Sequence, residues 1–382
     1  QRTRCGNCAL VSFFDGRADS RCRQHRGGGE CLDARLISGV KSFLSETEFT
    51  TTHSWAVDYT LEDLVAVVLR RLKTAADRAT GANVGRVVLG HPVSFVGAEG
   101  IDFRERQDTA ISRLQDAAVK AGFNEVVMLE EPAAAVNSEV IEDGIALAAD
   151  FGGGTFDVAV IKFASDGGDV LALTGANIGG EEFDRLLFQA KIAPALHLTD
   201  SYQVGPHEHR QLPLRFQSRL STLSGLNFLL NDKETSATLG RFRNAPGGSK
   251  LDAVHGILYG GYAYTFYRAI EEAKIALSTA SSASIEFHRP GIDISVSVQR
   301  VEFENLIADQ LQVVRDAILR ALSDAGIGQE NVTMVLRTGG SSSIPAFVRI
   351  LEGIFDPSII QQRPVYTTVA EGLARYAWGL WS

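Results

Sequence analysis

The sequence predicts a layered α/β protein built as two lobes around a cleft, and three observations predict it. Helical and strand patterns alternate along most of the chain, the signature of sheets covered by helices. Glycines follow strand patterns at three places, Gly152–Gly154, Gly179–Gly180 and Gly339–Gly340. A strand-and-turn unit also recurs: "ALVSFFDG" near the start resembles "DVAVIKFASDGG" after Thr155, as if each lobe held one copy. At 382 residues the chain is long enough for at least two domains.

The elements follow in order. "CALVSFFDGRADS" reads as strand, turn, strand. Cys5 and Cys8 have the spacing of a zinc site, with His25 nearby, but a strand commits Cys8 to a ladder, which is the better reading. Cys22 and Cys31 complete an early set of four, so no disulfide framework is expected and the cytoplasm is the default compartment. Thr60 reads as an N-cap with Asp63 three residues on; Leu61, Leu64, Val65, Val68 and Leu72 make an apolar stripe, and Gly81 closes the helix. "RVVLG" is a buried strand ended by His91–Pro92, and a helix follows from about Asp108 to Ala121. "EVVMLEE" is a strand, after which Pro132 opens a helix at its first position.

"IALAAD" feeds the glycine triplet, "FDVAVIKF" returns and "VLALTGA" continues. Residues 190–249 are less regular, and "NAPGGSK" is a loop by composition. "GYAYTFYRAIEEAKIALS" is a helix, and "SIEFH" and "IDISVSV" are strands around a Pro-Gly turn. "VEFENLIADQLQVVRDAILRALSDAG" reads as one long amphipathic helix. "VTMVLRTGGSSSIP" is strand, loop and helix start, and "TVAEGLARYAWG" is a closing helix.

The net charge of −9 argues against a general nucleic-acid binder, which needs a basic face. No apolar run approaches the roughly 18 residues of a membrane span, and the start has no small-residue cleavage site.

The glycine triplet carries the chemistry. Without Cβ atoms the backbone can turn sharply, approach a ligand closely and point successive N–H groups at an anion. Asp150 and Asp157 beside such a nest would repel phosphate unless a cation and its waters intervened, which points to Mg²⁺; Thr155 adds a hydroxyl. A plain glycine hairpin is the alternative. Gly179–Gly180 before a helix is a second candidate anion site, although Glu181 and Glu182 suit the helix dipole equally well. Gly339, Gly340 and Ser341 make a third contact loop or a simple connection. Glu271, Lys274 and Ser278 share a helix face that could hold a ribose and base, or be a solvated stripe. Glu131 ends a strand and could hold a water, or be a first-turn carboxylate.

Taken together, "DFGGGTFD", "EEPAAA", "IGGEEFD", "EEAKIALS" and "TGGSSSIP" resemble, in their order, the nucleotide-binding domain of DnaK-type heat-shock chaperones, a branch of the actin-like ATPase superfold. "RLISGVKSFL", "LGHPVSF" and "VAEGLARYAWG" look like the short YegD-like branch. The likeness runs from about Arg35 to the end. It implies ATP or ADP with Mg²⁺ between two lobes, residues 1–142 with a small insertion at about 26–60, and residues 143–382 with an insertion at about 185–299. By position it implies that Asp150, Gly152, Gly153, Gly154 and Thr155 form the second phosphate loop and that Asp157 is the carboxylate at its end. Glu131 would orient metal-bound water, and Lys41 would be the cleft lysine. Gly179 and Gly180 would lie near the nucleotide, while Glu271, Lys274 and Ser278, with Gly339, Gly340 and Ser341, would contact the adenosine.

Three departures qualify the expected activity. Where the family has an Asp followed by Gly-Thr-Thr, this chain reads "QRTRCGNCAL", with only Gly6 and Asn7 related. The two arginines that stack on adenine correspond to Ile275 and Ser343. No β-rich substrate-binding domain is expected to follow. The resemblance therefore implies a nucleotide binder with slow ATP hydrolysis, or a degenerate scaffold without turnover. A sugar kinase or a filament-forming relative ranks lower. No membrane or nucleic-acid partner is expected, and the sequence does not name a client protein.

Overall fold

The computed structural model describes residues 11–12, 37–38, 40–47, 51–54, 57–95, 102–137, 144–164, 167–362 and 368–382. The cysteines, His25, Arg2, Arg4, Gly6, Asn7 and most of the first copy of the recurring unit lie outside them.

β1 (Val11–Ser12) pairs parallel with β2 (Ile37–Ser38). β3 (Thr52–Ser54) and β4 (Val57–Tyr59) form a short antiparallel pair. Helix α1 (Leu61–Thr80) starts as expected: the Thr60 side chain accepts from the Asp63 N–H, Asp63 accepts from the Thr60 N–H, and Gly81 closes the helix at φ 69°. Leu61, Leu64 and Val65 are buried, but Leu72 is 53% exposed, so the apolar stripe ends before the last turns. β5 (Arg86–His91) lies parallel to β6 (Glu125–Glu130). Between them α2 runs Phe103–Ala121, starting before the expected Asp108 because the polar run "FRERQ" hides the helical period. α3 (Glu131–Asn137) begins at Glu131, so Pro132 is its second residue, a position that also lacks an intrahelical N–H partner.

The central sheet has the order β15-β14-β7-β8-β9. β7 (Gly144–Phe151), β8 (Phe156–Ala164) and β9 (Gly167–Ala176) are an antiparallel meander. β14 (Met334–Thr338) lies parallel to β7, and β15 (Ile360–Gln362) parallel to β14. Both faces of β7 are covered. Period two sends Leu147, Ala149 and Phe151 into the large core and Ala146 and Ala148 into a smaller one with Ala133 and Leu336.

After β9 come α4 (Gly180–Leu187), a π turn at Phe188–Ile192 and α5 (Ala193–Ala195). The region expected to be irregular is well ordered: hairpin β10 (Ser201–Gly205) and β11 (Glu208–Gln211), then α6 (Leu214–Leu220), α7 (Leu223–Asn231), α8 (Lys233–Arg243) and α9 (Asp252–Tyr259). Its helices are short and capped by Thr222 and Asp232, which blurs any long period. α10 (Ala263–Ala276) precedes hairpin β12 (Ser282–Arg289) and β13 (Ile292–Gln299). The expected single long helix is two, α11 (Arg300–Leu306) and α12 (Ala308–Ala325), broken at Ile307 with φ −99° and ψ 5°. Phe303, Ile307 and Leu311 are all buried, so the apolar period runs through the break and conceals it. α13 (Pro345–Glu352) and α14 (Thr368–Trp381) complete the chain.

Four fully buried phenylalanines explain why the glycine loops meet. Phe151 and Phe156 face each other at the closed end of the β7–β8 hairpin. Phe183 follows the second glycine pair and Phe347 the third. Phe151 lies edge-on to Phe156 at 5.0 Å, to Phe183 at 5.6 Å and to Phe347 at 5.0 Å between ring centroids. Such edge-to-face contacts add to area burial. Phe151→Ala is expected to cost about 3–5 kcal/mol, read as a lowered denaturant midpoint; an unchanged midpoint would show that the cluster does not anchor the hairpin.

Candidate functional site

The glycine triplet forms the turn between β7 and β8, closed by a Gly152 N–H to Thr155 carbonyl bond of 2.9 Å. Its carbonyls are used: Gly152 O accepts from the Gly180 N–H (3.1 Å) and the Ser341 hydroxyl (3.0 Å), and Gly153 O accepts from the Glu181 N–H (2.8 Å). Gly180 and Glu181, at the start of α4, thus spend their N–H groups on the glycine turn, and Gly179–Gly180 packs directly against it. A Cβ on Gly179 would stand 2.3 Å from Gly153 O, so only glycine lets the two segments touch. Among the described residues no acceptor takes the N–H of Gly153 or Gly154. The turn thus offers N–H groups outward while its carbonyls are tied down behind.

The third loop closes on the same place. Gly339, at φ 85°, sits where a Cβ would meet Phe151 O at 2.1 Å and Asp150 Oδ1 at 2.8 Å. Ser341 is buried, and its hydroxyl joins this loop to Gly152. Lys274 reaches across from α10, donating to Gly180 O (2.9 Å) and to Asp184 Oδ2 (2.7 Å). Glu271 lies close enough to act on the Glu181 and Asp184 carboxyls. Ser278, expected on the same helix face, lies past the end of α10 in the following turn, because the helix unwinds after Ala276. Ile275 is 58% exposed, and the Ser343 hydroxyl accepts from Gln362 Nε2 at 3.1 Å.

On the other side of the triplet stand the expected acids. Lys41 pairs with Glu131 at 2.7 Å. Asp150 Oδ1 accepts from the Thr338 hydroxyl at 2.7 Å. Asp157 accepts at Oδ2 from the Thr155 hydroxyl (2.7 Å) and at Oδ1 from the Val93 N–H (2.9 Å). Burial first, and then the charge of Glu131, push Asp150 up to about 6 and Asp157 up to about 7. Burial opposes the Lys41 ammonium, but Glu131, with Asp157 and Asp150 behind it, outweighs this and raises its pKa. The structure thus brings together Lys41, Glu131, Asp150, Asp157 and Thr155 with the three glycine loops. Sequence reasoning missed three partners: Thr338, directly before Gly339; Asp184, three residues after Glu181; and the Val93 N–H, just past His91–Pro92.

A hard cation suits this oxygen-rich, under-compensated set. Among the described residues, however, no three His, Cys, Asp or Glu groups stand close enough to chelate an ion directly. Asp150 and Asp157 would suit a hydrated ion.

The raised carboxyl values make stability depend on pH. Between the unfolded carboxylate range near 3.9 and these values, the native chain binds more protons than the unfolded chain. Stability then falls as pH rises, by up to about 1.4 kcal/mol per pH unit per group, and levels off above pH ~7. Without nucleotide or Mg²⁺, the melting temperature is expected to drop from pH 5 to pH 8, and Asp157→Asn to flatten the curve. A flat wild-type profile would contradict the burial of these charges.

A family model described as "Hsp70 protein" matches residues 41–200 and 264–376. The chain belongs to the Hsp70 family. Hsp70 membership carries the actin-like ATPase fold, and the mixed α/β architecture described above is of that kind. The chain is 26% identical over 307 residues to "Heat shock 70 kDa protein" of Emericella nidulans, covering 78% of this chain and 38% of that protein. It is 27% identical over 310 residues to "Chaperone protein DnaK" of Deinococcus proteolyticus, covering 78% and 39%. It is 26% identical over 306 residues to the Neurospora crassa "Heat shock 70 kDa protein", covering 78% and 38%. The chain thus spans about two-fifths of the length of the curated relatives it matches. The Hsp70 match passes over residues 201–263. No helix among the described residues is long and apolar enough to cross a membrane.

Proposed function

We propose that this Hsp70-family chain binds ATP and ADP with Mg²⁺, as a chaperone-family protein of the YegD-like branch, and that it hydrolyses ATP slowly. Residues 1–142 and 143–382 are taken as its two lobes. One observation carries the reading: glycine segments far apart in sequence close on the Gly152–Gly154 turn beside Asp150, with the N–H groups of Gly153 and Gly154 left for an anion.

In this reading Gly153 and Gly154 hold phosphate oxygens, and Thr155 keeps Asp157 oriented. Thr338 does the same for Asp150. Both carboxylates would hold a hydrated cation, and its charge would compensate the phosphates. Lys41 adds a second positive charge, and Glu131 positions a water once its pairing with Lys41 loosens. Lys274 and Glu271 take the ribose, and Gly339, Gly340 and Ser341 border the base. Exposed Ile275 and half-buried Ser343 offer no cation to stack on it. Cation–π contacts are worth roughly 0.5–2 kcal/mol each, so ATP binds some five-fold to several hundred-fold more weakly than to a relative with two arginines there. Slow turnover is read from the sequence alone: "QRTRCGNCAL", where the family has an Asp followed by Gly-Thr-Thr, holds no Asp or Glu. One misplaced electrostatic group costs about 10²–10³ in rate.

The test pairs calorimetry with phosphate release. Mg·ATP is expected to bind saturably, and Asp150→Asn to weaken binding in the presence of Mg²⁺ far more than without it. No binding to the wild-type chain, or equal binding by the variant, would count against the site. Turnover equal to that of an intact relative would remove the slow-hydrolysis element alone.

A further inference from the structure

We propose that the face made by α6, α7 and the start of α8 docks an acidic partner segment that carries one apolar anchor residue. The face lies within residues 201–263, the stretch the Hsp70 match passes over, so its chemistry belongs to this chain rather than to the family pattern. Charge is the first argument. On this face α6 brings Arg215 and Arg219 and no carboxylate, in a chain whose net charge is −9. A local excess of positive charge on an acidic protein favours an acidic partner.

The second argument is shape. Phe228 and Leu229 of α7, with Phe216 and Arg219 of α6, line a depression of about 190 Å³. That is below the 300–1,000 Å³ typical of small-molecule sites, and suits a single inserted side chain of the kind that anchors protein interfaces. Phe228 is 50% exposed, and Leu214, between lining residues Pro213 and Arg215, is 79% exposed.

The third argument is the state of the charges on the rim. The Asp232 carboxylate caps α8, accepting from the Glu234 N–H and the Thr235 hydroxyl. Arg215 pairs with Glu234. Arg219 has no carboxylate partner among the described residues; its guanidinium carbon lies over the Phe228 ring, 3.3 Å from the centroid. A guanidinium over a ring keeps its planar fork of donors for a carboxylate arriving from outside. An acidic residue beside an apolar anchor would satisfy the fork and fill the depression together.

The test is fluorescence anisotropy on the full chain, with a fluorescein-labelled nonapeptide holding one leucine between two glutamate pairs. Saturable binding is expected, weakened about ten-fold or more by Arg219→Glu and by Phe228→Ser, less by Arg219→Gln, and lost at high salt. Both positions are exposed, and a thermal melt checks that each variant folds. Absence of saturable binding overturns the proposal. So does equal binding of the peptide with lysines in place of glutamates, or unchanged affinity in the variants. Sedimentation showing a dimer that Arg219→Glu dissolves would assign the face to a second copy and also overturn it.

Discussion

Gly372→Ala is expected to destabilise the chain by about 3 kcal/mol, the upper end of the usual cost of overpacking. A Cβ at Gly372 would lie 1.5 Å from Ala134 O and 2.5 Å from Ala134 C. Both atoms are helix backbone, so α14 and α3 must move apart; a side-chain rotation cannot relieve the clash. The separation also reaches the site. Val369 and Leu373 of α14 lie over Gly90, beside the Glu131 side chain, so a displaced α14 loosens Glu131 from behind. Urea denaturation should show a markedly lower midpoint for the variant. A midpoint equal to wild type would mean that the helices do not pack this closely.

Gly179→Ala is expected to abolish most nucleotide binding while leaving the fold largely intact. Gly179 is extended, at φ −153° and ψ −169°, so an alanine is not strained there. The obstacle is contact: its Cβ would stand 2.3 Å from Gly153 O and 2.6 Å from Gly154 N. The glycine turn would have to shift by about an ångström, a displacement that typically costs on the order of 100-fold in a preorganised site. Gly240→Ala, in α8 and outside the site, is the matched control, because nothing lies within 4 Å of its Cβ. A thermal-shift titration with Mg·ATP should show the response lost in the first variant and largely kept in the second. Equal responses in both would argue that the nucleotide does not use this turn.

The sequence was most legible where local chemistry decides structure. The Thr60–Asp63 capping box and Gly81 could be read residue by residue, because a helix N-terminus is satisfied within one turn. The strands around the glycine triplet were equally plain. Legibility failed where packing decides. The break at Ile307 falls in an apolar pattern that satisfies one helix or two. The helices of residues 201–263 are too short for a period to build up. At the site, the residue types at Asp150, Asp157, Lys41 and Glu131 suggested their chemistry, but their partners came from distant elements. Thr338 lies 188 residues from the aspartate it orients. The tight contact between Gly179–Gly180 and the glycine turn could not be read either. It depends on which backbone carbonyl arrives opposite the first amides of α4.

That separation between Asp150 and Thr338 has a consequence for how the protein is made. At roughly 5–20 residues per second, the ribosome releases β7 some ten to forty seconds before β14 emerges to lie beside it. Throughout that interval the nascent β7–β8 hairpin presents one unpaired ladder edge, flanked by Ala146, Leu147, Ala148 and Ala149, all buried in the finished sheet. Open edges of this kind recruit other strands. Non-local pairing of this order is also slow to form. A chain of a chaperone family thus carries, at the centre of its own sheet, a segment whose maturation calls for shielding. Translation stalled before Met334 should yield a species that aggregates through this edge.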